Sequence, residues 1–241
     1  MKDGIVIIPT FNEIENIESI IRAVFSLPRE FDILIVDDNS PDGTSQKVQK
    51  LQAEFSQQLF LETRDKKSGL GTAYVHGFKW AIEKKYNYIF EMDADFSHNP
   101  ADLPKLYEAV HFGGADVAVG SRYITGVNVV NWPLSRVLMS YFASVYVRII
   151  TVMKIHDATA GFMCYKREVL EQINIDNIRF IGYAFQIEMK YRAFAKKFRI
   201  IEVPIIFTDR TKGESKMSNA IITEAVFGVI SLKIRHLFGK L

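Results

Sequence analysis

The stretch Tyr88-Ile-Phe-Glu-Met-Asp-Ala-Asp95 decides how the rest of the chain is read: a mostly apolar run of strand length breaks directly into two carboxylates one residue apart. Short runs rich in Ile and Val, bounded by polar clusters, are the sequence form of strands buried on both faces of a parallel sheet. Working outward, the same form predicts strands over residues 4–8, 32–36, 59–62 and 116–119 beside 88–92, with helical segments between them. Helices are expected over residues 13–25, where Asn12 and Glu15 have the spacing of a capping box, from Thr44, after Gly69-Leu-Gly71, and after Pro100, a residue suited to a first helical turn. The predicted fold class is α/β, Rossmann-like, with a mainly parallel central sheet.

In such sheets ligands bind at the carboxyl ends of the strands, and the polar clusters fall there. Pro9-Thr-Phe-Asn-Glu13 ends the first strand, Asp37-Asp-Asn-Ser-Pro-Asp-Gly-Thr44 the second, Asp93-Ala-Asp95 the fourth and Ser121-Arg-Tyr123 the fifth. Four clusters on one rim make one cleft.

Asp93-x-Asp95 is either an acidic turn or a pair reaching a hard cation that holds phosphate oxygens. The second acidic pair, Asp37-Asp38, weighs towards the cation, because carboxylates sharing a cleft repel unless positive charge or polar donors compensate them. One of Asp37 and Asp38 either caps its turn or accepts hydrogen bonds from a nucleotide base or ribose. Phe11 is either a core aromatic or a ring flanking a base. Lys67-Ser-Gly-Leu-Gly-Thr-Ala73 matches neither a phosphate-binding loop nor a three-glycine dinucleotide fingerprint. Close helix–sheet packing is the role its glycines suggest first, with approach to a phosphate second.

The 241 residues are 48% hydrophobic and 24% charged, which places them outside the disordered regime and supplies a full core. A net charge of +2 gives no global reason to expect nucleic acid. The charge is unevenly spread: residues 1–178 hold 18 Lys and Arg against 23 Asp and Glu, and residues 179–241 hold 12 against 5. The lone Cys164 excludes an intramolecular disulfide and a cysteine-based zinc site. No stretch has the roughly 20 apolar residues of a membrane span. Residues 135–155 and 218–241, apolar with interspersed Arg and Lys, have the composition either of interfacial helices or of helices packed on the protein's own core. The expected organisation is a main domain over 1–217 and an amphipathic tail over 218–241 that is either part of the same domain or a peripheral membrane anchor.

Together with Gly69-Leu-Gly71, Ala158-Thr-Ala-Gly-Phe162, Gly182-Tyr-Ala-Phe-Gln-Ile-Glu188 and Asp209-Arg-Thr-Lys-Gly-Glu-Ser-Lys216, these motifs resemble the polyprenol (dolichol) phosphate mannosyltransferases of glycosyltransferase family 2. The resemblance runs from residue 5 to about residue 216 and implies a GT-A fold and inverting transfer of mannose from GDP-mannose to a polyprenyl phosphate. It further implies that Pro9, Phe11, Glu13, Val36 and Asp38 hold the guanosine, and that Asp93, Ala94 and Asp95 lie along the diphosphate and a Mg2+ or Mn2+ ion. Arg122, Arg210 and Lys216 complete the phosphate environment, and Asp95, Arg122 and Arg210 carry the catalysis. Arg122 with Ser135 and Arg136 is assigned to the acceptor phosphate. Phe11 departs from the family's usual Tyr, and His98 follows the second Asp where Gln is common. The implied location is peripheral, at the cytoplasmic face of a membrane, with room for a membrane-protein partner. The alternatives are a family 2 transferase using UDP-glucose or UDP-N-acetylglucosamine, for which Glu188 is the candidate base if the acceptor is a hydroxyl, and a nucleotide-sugar-binding protein without turnover.

Overall fold

The computed structural model describes residues 3–182, 184–210, 219–239 and 241. The expected strands form as β1 (Gly4–Thr10), β2 (Asp32–Asp37), β3 (Leu59–Thr63), β4 (Tyr88–Glu91) and β5 (Val117–Ser121). Beyond them come β6 (Val129–Val130), β7 (Met163–Lys166), β8 (Ile200–Pro204) and β9 (Phe207–Thr208). Among the described residues the main sheet has seven strands in the order β3-β2-β1-β4-β7-β5-β8, all parallel except β7, which runs antiparallel to β4 and β5. β6 and β9 pair as a separate parallel ladder.

The helices are α1 (Ile17–Phe25), α2 (Thr44–Gln52), α3 (Leu70–Glu83), α4 (Leu103–His111), α5 (Leu134–Thr151), α6 (Arg167–Gln172), α7 (Ala184–Ala195) and α8 (Asn219–Leu237). In α1, Ile17, Ile20, Ile21 and Val24 recur at helical spacing and form one buried stripe. They pack with α2 and α4 on one sheet face, against Val6 and Ile8 of β1; Ile5 and Ile7 face α3, α6 and α7 on the other. Both sets are fully buried, which is why β1 reads as an uninterrupted apolar run.

Two local expectations are corrected. The first helix starts at Ile17 rather than at residue 13, and Asn12 and Glu15 do not form a capping box: Asn12 takes a left-handed φ of 58°. Its N–H donates to Ser40 Oγ, that of Glu13 to Thr44 Oγ1 and that of Ile14 to Asp42 Oδ2, each at 3.0 Å. Acceptors on the β2–α2 turn thus satisfy three successive N–H groups and hold this loop in a non-helical path. The second concerns the glycines opening α3. A Cβ on Gly71 would lie 2.7 Å from Phe185 Cδ2 and 2.8 Å from the Phe180 carbonyl, so its close approach is to α7 and the loop before it, not to the sheet. Helix–sheet contact of that kind occurs at Gly77, where a Cβ would stand 2.6 Å from Ile7 Cγ2.

Helices α5 and α8 pack on the protein's own core. Their inner sides join α7 in a third core containing Val147, Ile187, Tyr191, Val229 and Leu232. Their outer sides leave Phe142, Ile149, Phe227 and Ile234 exposed. Among the described residues, no helix is long and apolar enough to cross a membrane.

Candidate active site

Strand β1 sits where the sheet order reverses, with β2 on one side and β4 on the other, the place at which open α/β sheets bind ligands. Pairing between β1 and β2 continues to Thr10–Asp37, whereas pairing with β4 ends at Ile7–Glu91. Beyond that point the β1–β4 ladder stops; the cleft at this rim is lined by Asp93 but by none of Pro9, Phe11, Glu13, Val36 and Asp38. β1, β2, β4 and β5 all run in the same direction, so their four polar clusters share this rim.

On the β2 side the acidic pair divides its labour. Asp37 is fully buried and accepts from Thr10 Oγ1 at 2.7 Å, Ser40 N at 2.8 Å, Ser40 Oγ at 2.6 Å and Ser45 Oγ at 2.7 Å. Its oxygens are spent on holding the turn. Asp38 points elsewhere, meeting Arg64 Nε and Nη2, each 2.6 Å from its Oδ1. Pro9 and Val36 face each other in register at the strand ends. Phe11 is half-buried under the Lys67 ammonium, 4.6 Å from the ring centre. Glu13, also half-buried, accepts from Asn16 Nδ2 at 3.0 Å.

At the floor, Asp93 and Asp95 follow β4, with Ala94 buried between them. Asp95 Oδ1 accepts from Ser97 N at 3.0 Å, and its Oδ2 lies 3.1 Å from Arg210 Nη2. Removal from water and the neighbouring Asp95 charge push the Asp93 carboxyl up to about 7, against the pull of Arg210. The turn beyond is tight: Phe96 takes a φ of 61°, an uncommon conformation for a bulky side chain. It brings His98 back so that Nδ1 accepts the Asp93 N–H at 3.2 Å. His98 is buried and stacked on Phe162, with ring centres 5.0 Å apart, and burial pushes its pKa down to about 4. It is a neutral prop for the Asp93 backbone.

Arg122, Arg136 and Arg210 come together on the other wall. Asp157 grips Arg122, accepting Nε at 2.7 Å and Nη2 at 2.6 Å, while Thr159 Oγ1 accepts Nη2 at 2.8 Å. Arg136 pairs with Asp209 at 2.9 Å and lies over Trp132, 4.0 Å from the ring centre. The β6–β9 ladder sets this corner by bringing the segments leading to Trp132 and Asp209 side by side. Ser135 is exposed on the first turn of α5 and is not among the residues lining the cleft. Lys216 and residues 211–218, including Lys212 and Gly213, lie outside the described residues.

The cleft, about 460 Å³, has a mixed lining. Asp93, Arg122, Arg136 and Arg210 supply charge; Met139, Phe142, Ala143 and Tyr146 of α5 and Val226 of α8 supply much of the apolar wall. Sequence reasoning missed Arg64, Trp132, Asp157 and Gln186. Asp157 precedes a recognised motif, but its partner Arg122 is 35 residues away and leaves no local signal. Gln186 lines the cleft and donates to the buried Glu91, which also accepts from Tyr165 Oη at 2.8 Å. Glu188 faces away: its oxygens accept from Arg192 and from the N–H groups of Arg179 and Phe180. That placement removes it as a base at the cleft.

The profile of glycosyl transferase family 2 matches residues 5–174. Over 231 residues the chain is 45% identical to the polyprenol monophosphomannose synthase of Mycolicibacterium smegmatis, covering 96% of this chain and 87% of that protein. It is 44% identical to the undecaprenyl-phosphate mannosyltransferase of Micrococcus luteus, covering 92% and 90%. With the dolichol-phosphate mannosyltransferase of Pyrococcus furiosus it shares 37% identity, covering 91% of this chain and 60% of that one. Among solved structures, glucosyl-3-phosphoglycerate synthase of Mycobacterium tuberculosis, in complex with Mn2+, UDP and glucosyl-3-phosphoglycerate, superposes with a TM-score of 0.67 at 16% identity, covering 98% of this chain and 80% of that one. A mannosyltransferase of Pyrobaculum calidifontis, in complex with GDP-Man and Mn2+, gives a TM-score of 0.59 at 14% identity over 98% and 74%. The mainly parallel sheet, the acidic rim at its reversal point and these likenesses agree: the chain has the GT-A fold and belongs to glycosyltransferase family 2, within which it is similar to the polyprenyl-phosphate mannosyltransferases.

Proposed function

We propose that this glycosyltransferase moves mannose from GDP-mannose to a polyprenyl phosphate, inverting the anomeric carbon and releasing GDP, while it rests on the cytoplasmic face of the membrane that holds the acceptor. The observation that carries the reading is a single cleft whose lining joins the charged Asp93, Arg122, Arg136 and Arg210 to apolar side chains of α5 and α8. Such a lining suits an amphiphile with an anionic head. The activities of the three relatives support the same acceptor class and sugar.

In this reading Phe11, Asp38, Pro9, Glu13 and Val36 hold the guanosine. Asp93 and Asp95 fit a divalent ion bound with the diphosphate: both are hard oxygen donors on one turn after β4. Among the described residues no cluster of three or more His, Cys, Asp or Glu could hold a metal by itself, so diphosphate oxygens and water would complete the shell. When bound, Mg2+ or Mn2+ neutralises charge developing on the leaving diphosphate. Arg210 adds a fixed positive charge beside Asp95. Arg122 and Arg136 hold the acceptor phosphate, whose oxygen attacks C1 of the mannose as the bond to GDP breaks. The phosphate is already anionic at neutral pH, so the chemistry needs no general base, consistent with the placement of Glu188 away from the cleft.

The test is incubation of the full chain with GDP-mannose or UDP-sugars and a short polyprenyl phosphate, with and without Mg2+ or Mn2+. Mannolipid formed from GDP-mannose alone, and abolished in Asp95→Ala, is the expected result. Product from UDP-sugars would overturn the donor assignment, and equal product without metal and from the variant would overturn the metal assignment.

A further inference from the structure

Resting on the guanosine-donor reading, we infer that Arg64, through its hold on Asp38, is the positioning residue that sets nucleobase preference. Arg64 begins the loop after β3, at the same rim as the ends of β1 and β2. Its N–H donates to the Asp37 carbonyl at 2.8 Å, which fixes where its side chain departs. Nε and Nη2 both lie 2.6 Å from Asp38 Oδ1, and Nη1 donates to Thr72 Oγ1 at 2.8 Å. The guanidinium side chain is 13% exposed and the Asp38 side chain 8%. A planar fork tied to both β2 and α3 therefore determines the carboxylate's rotamer, a geometry an ammonium cannot reproduce. Three residues on, Lys67 covers Phe11. One short loop thus governs both the carboxylate and the ring of the base site.

The recognition chemistry depends on that orientation. Guanine presents two adjacent donors, its ring N–H and its exocyclic amine, to a carboxylate acceptor. Adenine presents an acceptor in the ring position, and uracil a single donor flanked by carbonyl oxygens. A carboxylate held in plane favours guanine; one free to rotate loses the two-point match. Both Arg64 contacts fall on Oδ1, and we assign Oδ2 as the oxygen on which the guanine ring N–H and exocyclic amine converge.

Calorimetric titration of the full chain with GDP, inosine diphosphate and UDP in the presence of Mg2+ tests this, comparing wild type, Arg64→Met, Arg64→Lys and Asp38→Asn, with thermal melting as a check on folding. Wild type is expected to bind GDP at least about tenfold more tightly than UDP, and more tightly than inosine diphosphate, which lacks the amine. Arg64→Met is expected to lose about tenfold towards GDP while its UDP affinity stays within about twofold, so that the preference collapses as it does in Asp38→Asn. Arg64→Lys keeps the charge without the fork and should recover only part of the preference. Uniform loss towards all three nucleotides would mean a merely structural role. A strong wild-type preference surviving in Arg64→Met would overturn this inference alone; a wild type that does not prefer GDP would overturn the donor reading and this inference with it.

Discussion

Asp157 holds Arg122 through three of its donors: Oδ2 accepts the backbone N–H at 2.9 Å and Nε at 2.7 Å, and Oδ1 accepts Nη2 at 2.6 Å. Behind it Glu202 accepts the N–H groups of His156 and Asp157 and the Ser121 hydroxyl, so both ends of the pair are anchored to β5 and β8. The guanidinium is immobilised before any ligand arrives. Such preorganisation lets an arginine meet a phosphate with little further loss of side-chain freedom.

Asp157→Asn should therefore weaken acceptor use before donor use. Steady-state kinetics are expected to show the KM for a short polyprenyl phosphate rising by about tenfold or more, with the KM for GDP-mannose nearly unchanged. Equal shifts in both would argue that Arg122 serves the donor. Stability should fall by about 3–5 kcal/mol, because the substitution leaves Arg122 buried without its counter-charge.

The same pair predicts an acid dependence. Burial alone would push the Asp157 carboxyl up, but the Arg122 charge and hydrogen bonds outweigh it and hold the carboxyl below its ordinary value. A depressed folded-state pKa means stability that is complete above the unfolded value of about 3.9 and is lost as pH falls through the lower folded value. Thermal melting of wild type between pH 5 and pH 2 should show this loss, and Asp157→Asn should fall less steeply across that window. Parallel profiles would show that other carboxylates dominate.

Arg210→Ala removes the cation 3.1 Å from Asp95. Turnover should drop by about 10²–10³-fold, the scale for losing one charge stabiliser at a leaving group. Mn2+ binding measured with GDP present should persist in this variant and disappear in Asp95→Ala. Unchanged turnover would remove Arg210 from the leaving-group side.

The outer faces of α5 and α8 predict vesicle binding. Ile149 is 71% exposed and Phe227 68%, and neither lines the cleft. Ile149→Asp with Phe227→Asp should cut co-sedimentation with anionic vesicles by about tenfold or more, since each side chain gains about 1.5–3 kcal/mol on leaving water. Melting should barely move, as expected of surface positions. Equal vesicle binding by variant and wild type would exclude this face as the membrane contact.

How much of this was legible beforehand follows from where each signal resides. The runs of β1, β2 and β4 announce themselves because parallel strands covered on both sides are apolar at nearly every position. β7 offers only Met163-Cys-Tyr-Lys166, and its antiparallel insertion between β4 and β5 is set by partners far along the chain. Asp93 and Asp95 were legible as neighbours on one turn. Asp157 with Arg122 and Arg64 with Asp38 were not, because 35 and 26 residues separate the partners. Asn12 and Glu15 show the converse: the local spacing suits a cap, but hydrogen bonds to Ser40, Thr44 and Asp42 win the backbone.

Gly77 gives a last prediction that tests the packing beneath the rim. A Cβ there would lie 2.6 Å from Ile7 Cγ2, closer than side-chain contacts allow, and Ile7 is fully buried two residues before Pro9. Alanine improves helix propensity over glycine by about 1 kcal/mol, whereas overpacking costs about 1–3 kcal/mol, so Gly77→Ala should be neutral to destabilising despite the better helix former. Trimming the partner should release the strain. Ile7→Ala, which removes Cγ2, alone costs about 2–5 kcal/mol, yet combined with Gly77→Ala it should be less damaging than the sum of the two. Chemical denaturation of the four proteins measures the coupling. If the losses simply add, the steric contact with Ile7 is not what reserves this position for glycine.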